Sequence, residues 1–368
     1  MANERPPADD FDRYSLAALT KPAALVRLAG IGTVVLAIAA AFAGTAGWLS
    51  PGRLDPARMI DRFEAVNGAH PGFRRNHAKG VCLTGWFDGN GAGARLSTAG
   101  VFAAGRLPVI GRFALAGGLP MMPDGPNSVR SLALEFRLPG GQQWRTGMND
   151  IPVFPLKDPR AFYEQLGATA PDPKTGRPDP AAVQAFFTAH PESARALALI
   201  KAQPFSSGFA NATYNSLNAF VFVDGAGTRR PVRWSMVPLD AFVPEPAEAP
   251  AESNYLFDAL AARVKSAPTQ WRLVLTVGRP GDPTNDATVP WSADREQIDA
   301  GTLTVMALQG EDTGVCRDIN FDPLVLPTGI AASDDPLLSA RSATYSQSFT
   351  RREGEAKPPS AVRPDKGN

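Results

Sequence analysis

The most uniform part of the hydrophobic pattern is an uncharged apolar run from Leu28 to Leu49. A run of about 20 apolar residues spans a bilayer as an α-helix, and Trp48 stands where an interfacial aromatic residue belongs. A buried core helix is the weaker alternative, because no face of the run carries a charge. We predict a polar leader over residues 1–27 and a transmembrane signal-anchor over residues 28–50.

The orientation of this segment is not decided by its flanks, because Lys and Arg lie on both sides. A short leader before a large folded body is the layout of a signal-anchor, which places the body in the periplasm or outside the cytoplasmic membrane. Ala41-Phe42-Ala43 offers a cleavage site as the alternative. The run is long for a signal peptide, so we expect a retained anchor that contacts the membrane from Leu28 to Leu49.

Beyond this run, short segments separated by glycine and proline predict strands, and amphipathic segments predict helices. A helix is predicted to open at Asp55 and Pro56, with an apolar stripe that packs against the body. Further helices are predicted in residues 178–203, broken at Pro191, and in residues 257–264. Strands are predicted in residues 73–87, 97–113, 128–136, 213–220 and 271–277.

Composition narrows the class of protein. The 35 prolines and 34 glycines are spread through 368 residues, which favours a loop-rich, mainly β fold. A net charge of +1 argues against a nucleic-acid binder. The three histidines do not stand at metal-ligand spacing. Cys82 and Cys316 are expected to be buried thiols, although an exported chain leaves a disulfide open.

The candidate chemistry begins at a helix that Asp335 and Pro336 open as N-cap and first-turn proline. Arg341 and Tyr345 stand four residues apart and share one face of this helix. A guanidinium beside a phenol favours the phenolate, and a tyrosinate can ligate haem iron. On the pair alone, an ordinary helix contact is the better explanation.

The surrounding residues resemble the proximal haem segment of the catalases, in which an arginine precedes the haem-ligating tyrosine by four residues. The matching positions are Leu326, Pro327, Thr328, Gly329, Ile330, Ser333, Asp335, Leu338, Arg341 and Tyr345. Upstream, His77-Ala78-Lys79-Gly80, with Arg74 three residues before the histidine, resembles the distal haem segment. The resemblance implies that His77 is the distal base and that Arg74 binds a haem propionate. Alone, a single histidine on a strand is more often structural.

Three further segments match in order. Arg130 leads a strand whose catalase counterpart binds a propionate, and the alternative is a surface strand charge. Asn149 takes the place of the catalytic asparagine, three residues before Pro152, and Phe162 that of the haem-stacking phenylalanine. Without the resemblance, Asn149 would be interpreted as a turn residue and Phe162 as a core residue. Arg352, seven residues after Tyr345, matches another propionate arginine.

The resemblance covers about residues 55–352 and implies an α+β fold, a catalase-like antiparallel β-barrel with surrounding helices that lacks the C-terminal helical domain of full-length catalases. We assign residues 51–352 to this haem domain and residues 353–368 to a disordered tail. Arg75 and Asn76 replace two valines that narrow the channel in catalases, which predicts a more open, polar approach. Phe349 replaces a histidine.

The chain resembles the short catalase-related peroxidases. This implies a peroxidase with haem b that reduces hydrogen peroxide or organic hydroperoxides with a small organic electron donor, through a ferryl intermediate and with weak catalase activity. His77 would move the proton, Asn149 would position the peroxide and Tyr345 would ligate the iron. An efficient catalase and a non-enzymatic haem-binding membrane protein are the alternatives. Formation of a homo-oligomer is left open.

Overall fold

The computed structural model describes residues 22–45, 54–246, 248, 250 and 252–364, and the chain divides into two units, residues 1–55 and 56–368. In the first unit, α1 (Pro22–Thr45) is the one helix, among the described residues, that is long and apolar enough to cross a membrane. A signal sequence would have the same properties. Trp48 and the last part of the predicted span lie outside the described residues.

The second unit is built around one antiparallel sheet. Its strands, within the described residues, are β1 (Gly80–Gly89), β2 (Gly105–Leu115), β3 (Arg130–Arg137), β4 (Gln143–Asn149), β5 (Tyr214–Asn215), β6 (Phe220–Val223), β7 (Arg229–Pro238), β8 (Thr269–Val277), β9 (Gln297–Gln309) and β10 (Ile330–Ala332). Neighbouring strands run β1-β2-β3-β4-β5-β7-β8-β9, and β9 pairs again with β1. The β7–β8 pairing therefore closes an eight-stranded barrel, and β6 and β10 extend it at β7.

The barrel interior is filled by large side chains, which alternate with outward-facing residues along each strand. Trp144, Trp234 and Trp271 are fully buried there. Phe136 stacks on Trp144 with ring centroids 4.9 Å apart. The barrel interior is thus a packed hydrophobic core.

The helices of the second unit cover that wall. They are α2 (Pro56–Asn67), α3 (Pro159–Ala168), α4 (Pro180–Ala189), α5 (Pro191–Lys201), α6 (Tyr255–Ser266) and α7 (Pro336–Glu353). α2, α3 and α7 pack against one another. The predicted starts of α2 and α7 are confirmed, and the Asp335 side chain accepts a hydrogen bond from the Leu337 N–H at 2.9 Å. The predicted barrel with surrounding helices is therefore correct.

The expectation of two free thiols is wrong, because Cys82 and Cys316 form a disulfide. Cys82 lies on β1 and Cys316 follows β9, and the fold brings their Cα atoms to 5.4 Å, within the range that a disulfide needs. Both residues are fully buried. Their separation of 234 residues hid this proximity in the sequence.

The expectation of a disordered tail from residue 353 is also wrong for the described residues that follow α7. Val362 is buried in the main core, and Ser360 donates a hydrogen bond to Asp312 at 2.8 Å. Glu355 accepts one from the Gly72 N–H at 2.7 Å. Charge and proline content suggested disorder, but three specific contacts order this segment. Residues 365–368 lie outside the described residues.

Candidate functional site

A cavity lies between the outer wall of the barrel and helices α2, α3 and α7, and it encloses about 1120 Å³ of empty space including its open mouth. Its wall is a row of outward-facing residues on three neighbouring strands, because strand side chains alternate between faces. In register, Ala114 lies opposite Ser131, and Ser131 lies opposite Asn149. The row is Arg112, Ala114, Ser131, Ala133, Gly147 and Asn149.

His77 enters this cavity from the loop before β1 and joins a hydrogen-bonded chain. Its Nδ1 lies 2.9 Å from the Ser131 hydroxyl, which in turn donates to the Asn149 side-chain oxygen. A hydroxyl has one proton to donate, so the ring N–H must be at Nδ1 of His77 and Ser131 accepts it. Nε2 therefore keeps a free lone pair, and the Asn149 amide keeps its two N–H donors.

The electrostatics of the cavity keep this imidazole neutral. Burial of the ring, together with the nearby guanidinium groups of Arg112, Arg341 and Arg74, lowers the pKa of His77 to about 3. At neutral pH the ring is thus a proton acceptor at Nε2. A distal histidine that acts as a base needs this state.

Tyr345 enters the cavity from α7 and faces Gly147 on the barrel wall. A Cβ at Gly147 would lie 3.7 Å from the Tyr345 hydroxyl and 3.3 Å from the Arg341 guanidinium. The guanidinium carbon of Arg341 is 5.8 Å from the centre of the Tyr345 ring. Arg341 donates to Asn218 at 2.6 Å, and Asn218 donates to Asp335 at 2.8 Å. The capping residue of α7 thereby also orients the arginine beside the tyrosine.

One end of the cavity carries three arginines around a single carboxylate. Arg112 donates two hydrogen bonds to Glu311, at 2.7 and 2.8 Å, and the Arg74 Nε lies 3.7 Å from the same group. Burial and the neighbouring Arg352 and Arg112 lower the pKa of Arg74 to about 9. Among the described residues, Arg74 Nε and Arg352 Nη2 are buried without a hydrogen-bond partner. These two N–H groups are free to donate to an anionic ligand.

Arg130 is not part of this cluster, although the resemblance assigns it to a propionate. It is completely buried and forms ion pairs with Asp150 at 3.3 Å and Glu245 at 3.1 Å. It is not among the described residues that line the cavity. Arg112 on β2 occupies the cavity wall, and the sequence analysis missed it because a single arginine on a strand carries no signal of its partners.

Aromatic and aliphatic side chains form the other end of the cavity. Phe162 lies on α3 and meets Phe63 of α2 edge to face, with ring centroids 5.5 Å apart. Met59 and Ile60 of α2 add to this apolar part, whereas the ring of Phe349 on α7 lies 5.4 Å from the guanidinium carbon of Arg352. Helix α2, which we expected to pack without chemistry, therefore contributes to the site.

The predicted open, polar approach does not follow from Arg75. This side chain is only 7% exposed and is held by Glu64 at 2.7 Å and by both carboxylate oxygens of Glu355. One cavity is lined by seven of the residues that the sequence assigned to the site. They are His77, Asn149, Tyr345, Arg341, Arg74, Phe162 and Arg352. Ser131, Arg112 and Glu311 are additions from the structure.

Comparisons with known proteins match most of this chain to one family. A family model described as Catalase matches residues 43–357. A catalase-related peroxidase of Synechococcus elongatus is 36% identical over 84% of this chain and 91% of its own length. A second, from Mycolicibacterium paratuberculosis, is 29% identical over 82% of this chain and 96% of its own.

Solved catalases share the fold of this chain. A fungal catalase superposes with a TM-score of 0.69 at 18% identity, covering 77% of this chain and 60% of that one. A bacterial catalase gives 0.67 at 21% identity, covering 82% and 62%. The chain therefore spans about three-fifths of the length of these catalases.

Proposed function

Because this chain belongs to the catalase family and is an oxidoreductase that acts on peroxide, we propose that it is a haem-dependent peroxidase that reduces hydrogen peroxide or organic hydroperoxides. The electrons come from a small organic donor, and catalase turnover is weak. The observation that carries the proposal is the chain from His77 through Ser131 to Asn149 in one cavity with Tyr345.

The residues of the cavity fit a haem. The arginine cluster of Arg74, Arg112 and Arg352 has two buried N–H groups without a hydrogen-bond partner in the described part of the chain, and these suit donation to the propionates of haem b. Tyr345 would ligate the iron, and Arg341 lies beside it with its guanidinium carbon 5.8 Å from the ring centre. Phe162 would stack against the ring. When bound, haem would supply the iron at which the peroxide O–O bond is cleaved and the oxidising power that the donor then consumes.

The protein's own contribution is the movement of one proton. Neutral His77 accepts the proton of the inner peroxide oxygen at Nε2 and returns it to the outer oxygen, so that the leaving group departs as water or an alcohol. Ser131 holds the ring in the required tautomer through Nδ1. Asn149, whose oxygen is occupied by Ser131, turns its N–H donors toward the peroxide. Such general acid–base catalysis contributes about 10²- to 10⁴-fold.

The apolar end of the cavity favours peroxidase over catalase turnover. Met59, Ile60 and Phe63 offer contact area to the organic part of a hydroperoxide or a donor. Hydrogen peroxide alone would not use this surface. An efficient catalase remains the second candidate, and rapid oxygen release would identify it.

The disulfide supports export of the body. Such bonds persist in oxidising compartments and are rare in the cytosol, and α1 can serve as a retained anchor. We therefore place the haem domain outside the cytoplasmic membrane. Alkaline carbonate treatment of cell membranes tests the anchor, and release of the chain into the soluble fraction would contradict it.

Substitution of His77 tests the catalytic proposal. The full chain, loaded with haem, is assayed for oxidation of a phenolic donor with hydrogen peroxide and with cumene hydroperoxide, beside an oxygen electrode. His77→Ala is expected to lower the rate with either peroxide by about 10²- to 10⁴-fold. His190→Ala is the control and should keep the rate, because His190 lies between α4 and α5 and pairs with Glu164 of α3 and Glu192 of α5. Equal rates in wild type and His77→Ala would disprove the role.

A further inference from the structure

The backbone of His77 is held in an unusual conformation by the residue before it. His77 has φ of +54°, in the left-handed region that residues other than glycine rarely adopt. Such a conformation is unfavourable for a residue with a side chain and persists only where the surroundings enforce it. The side-chain oxygen of Asn76 accepts the N–H of His77 at 2.9 Å.

The same oxygen also ties this loop to the end of β2. It accepts the N–H of Gly117 at 3.0 Å, and the Ala78 N–H donates to the Gly117 carbonyl at 2.9 Å. Hydrogen bonds therefore join both neighbours of His77 to one residue of the adjoining loop. The Asn76 side chain therefore stabilises the main chain of this loop through two hydrogen bonds. From the sequence alone, it was only a polar replacement for a valine.

The orientation of the Asn76 amide follows from its partners. Both are backbone N–H donors, so the oxygen must face them and the nitrogen must face away. The residue lines the cavity, and its nitrogen has no hydrogen-bond partner in the described part of the chain. Substitutions can therefore separate the acceptor, which holds the backbone, from the donor, which does not.

We propose that Asn76 is a positioning residue that directs the His77 imidazole toward Ser131 and into the cavity by holding residues 76–78 against Gly117. The effect on turnover rests on the proposed function, whereas the effect on the backbone does not. Without the Asn76 oxygen, the loop relaxes toward ordinary φ values and His77 loses its alignment. Misplacement of a catalytic group by about 1 Å costs on the order of 100-fold.

Two substitutions of Asn76 test the proposal in the full-length, haem-loaded protein. Asn76→Ala removes the acceptor, so kcat and kcat/KM for cumene hydroperoxide should fall together by about 10- to 100-fold. Asn76→Asp keeps an oxygen acceptor and removes the N–H donors, so its plateau rate should stay within a few-fold of wild type. The added carboxylate opposes Arg74, Arg112 and Arg341, which face the ring, and should move the acid limit of activity to higher pH.

Hydrogen exchange provides a readout that does not depend on activity. Exchange of the His77 and Gly117 amides, followed by mass spectrometry of the full chain, should accelerate in Asn76→Ala and remain slow in Asn76→Asp. Asn90→Val is the matched control, because the Asn90 oxygen accepts the Ala92 N–H at 2.9 Å in a loop away from the cavity. It should change neither the rate nor the exchange near His77.

The outcomes separate this proposal from the proposed function. Wild-type rates in Asn76→Ala, or equal losses in Asn76→Ala and Asn76→Asp with unchanged exchange, would overturn the positioning role. If the wild type itself fails to turn over peroxide, the proposed function fails, and faster exchange in Asn76→Ala alone still supports the positioning of His77. Unchanged exchange in that variant would then refute it.

Discussion

Hydrogen bonds between single side chains in this cavity fix the position of the ring proton of His77. His77 is neutral because its ring is buried among three guanidinium groups, and its tautomer is set by the hydroxyl of Ser131. The serine connects the base to Asn149, so one hydroxyl orients two groups that would meet the peroxide. Because the folded chain disfavours a charged His77, the protonation state of this residue also affects the free energy of unfolding.

The pH dependence of stability should carry the signature of His77. Its pKa is about 3 in the folded chain and 6.5 as an ordinary histidine, so below pH 6.5 the unfolded chain binds a proton that the folded chain does not. The free energy of unfolding should therefore fall as the pH drops from 6.5 toward 3. Urea unfolding at pH 7 and pH 4.5 should show a smaller acid loss in His77→Gln than in wild type. An equal loss would show that His77 is not held neutral.

Most residues that the sequence assigned to the site line one cavity, whereas the cavity residues that depend on strand register were not predicted. His77, Asn149 and Tyr345 carry recognisable neighbours in the chain. Ser131 became relevant only because β3 pairs with β4 so that it lies beside Asn149. Glu311 lies 199 residues from Arg112, and no local pattern joins them. Arg130 was misassigned because a strand arginine cannot be placed on the cavity wall or elsewhere without knowing its partners.

At the scale of elements, the segment after α7 secures the loop that precedes His77. Glu355 binds Arg75 through both carboxylate oxygens and also accepts the Gly72 N–H. Gly72 has φ of +79°, and a Cβ there would lie 2.2 Å from the Ala356 carbonyl, so the contact requires glycine. The segment after α7 thus holds the loop that precedes His77 in place.

Removal of this contact should destabilise the chain more than removal of a surface ion pair. Glu355→Ala leaves Arg75 buried with only Glu64 as its carboxylate partner, and hydrogen bonds to charged groups contribute about 1.5–3 kcal/mol each. We expect a loss of about 2–3 kcal/mol in urea unfolding. Asp88→Ala, which breaks the exposed pair with Arg106, should cost no more than about 1 kcal/mol. Similar losses in both variants would contradict the role of Glu355.

Elements with local signals were predicted, and those defined by pairing were not. Caps and prolines predicted the starts of α2 and α7, and Pro191 divides α4 from α5 as expected. β7 and β9 were missed, although β9 is 13 residues long. Charged and polar side chains on their outer faces weakened the hydrophobic signal, while their inner residues Trp234 and Leu303 fill the barrel.

For the molecule as a whole, the disulfide joins the barrel wall to the segment that carries the acceptors of Arg74. Arg74 Nη2 donates to the carbonyls of Cys316, Arg317 and Ile319, at 3.1, 3.3 and 3.1 Å. The bond from Cys82 holds this segment in place. The arginine cluster therefore depends on a covalent link as well as on packing.

Loss of the disulfide should lower both stability and affinity for haem. The double variant Cys82→Ala, Cys316→Ala should lose about 2–5 kcal/mol in urea unfolding. Haem transfer to apomyoglobin should be faster, because the carbonyls that hold Arg74 are less fixed. Asp224→Ala, which breaks a loop contact with Arg230 remote from the cavity, serves as a comparison. Unchanged haem transfer in the double variant would show that the segment holds its position without the bond.

The disulfide also makes most of the barrel a closed covalent ring, because its two ends lie 234 residues apart. Strands β2 to β9 fall within that ring, whereas α2 and α7 lie outside it. A protease that cuts the main chain once inside the ring opens it without releasing a fragment. On a gel without reductant, such a nicked molecule has the mass of an intact one, and it separates into two pieces only after the sulfurs are reduced.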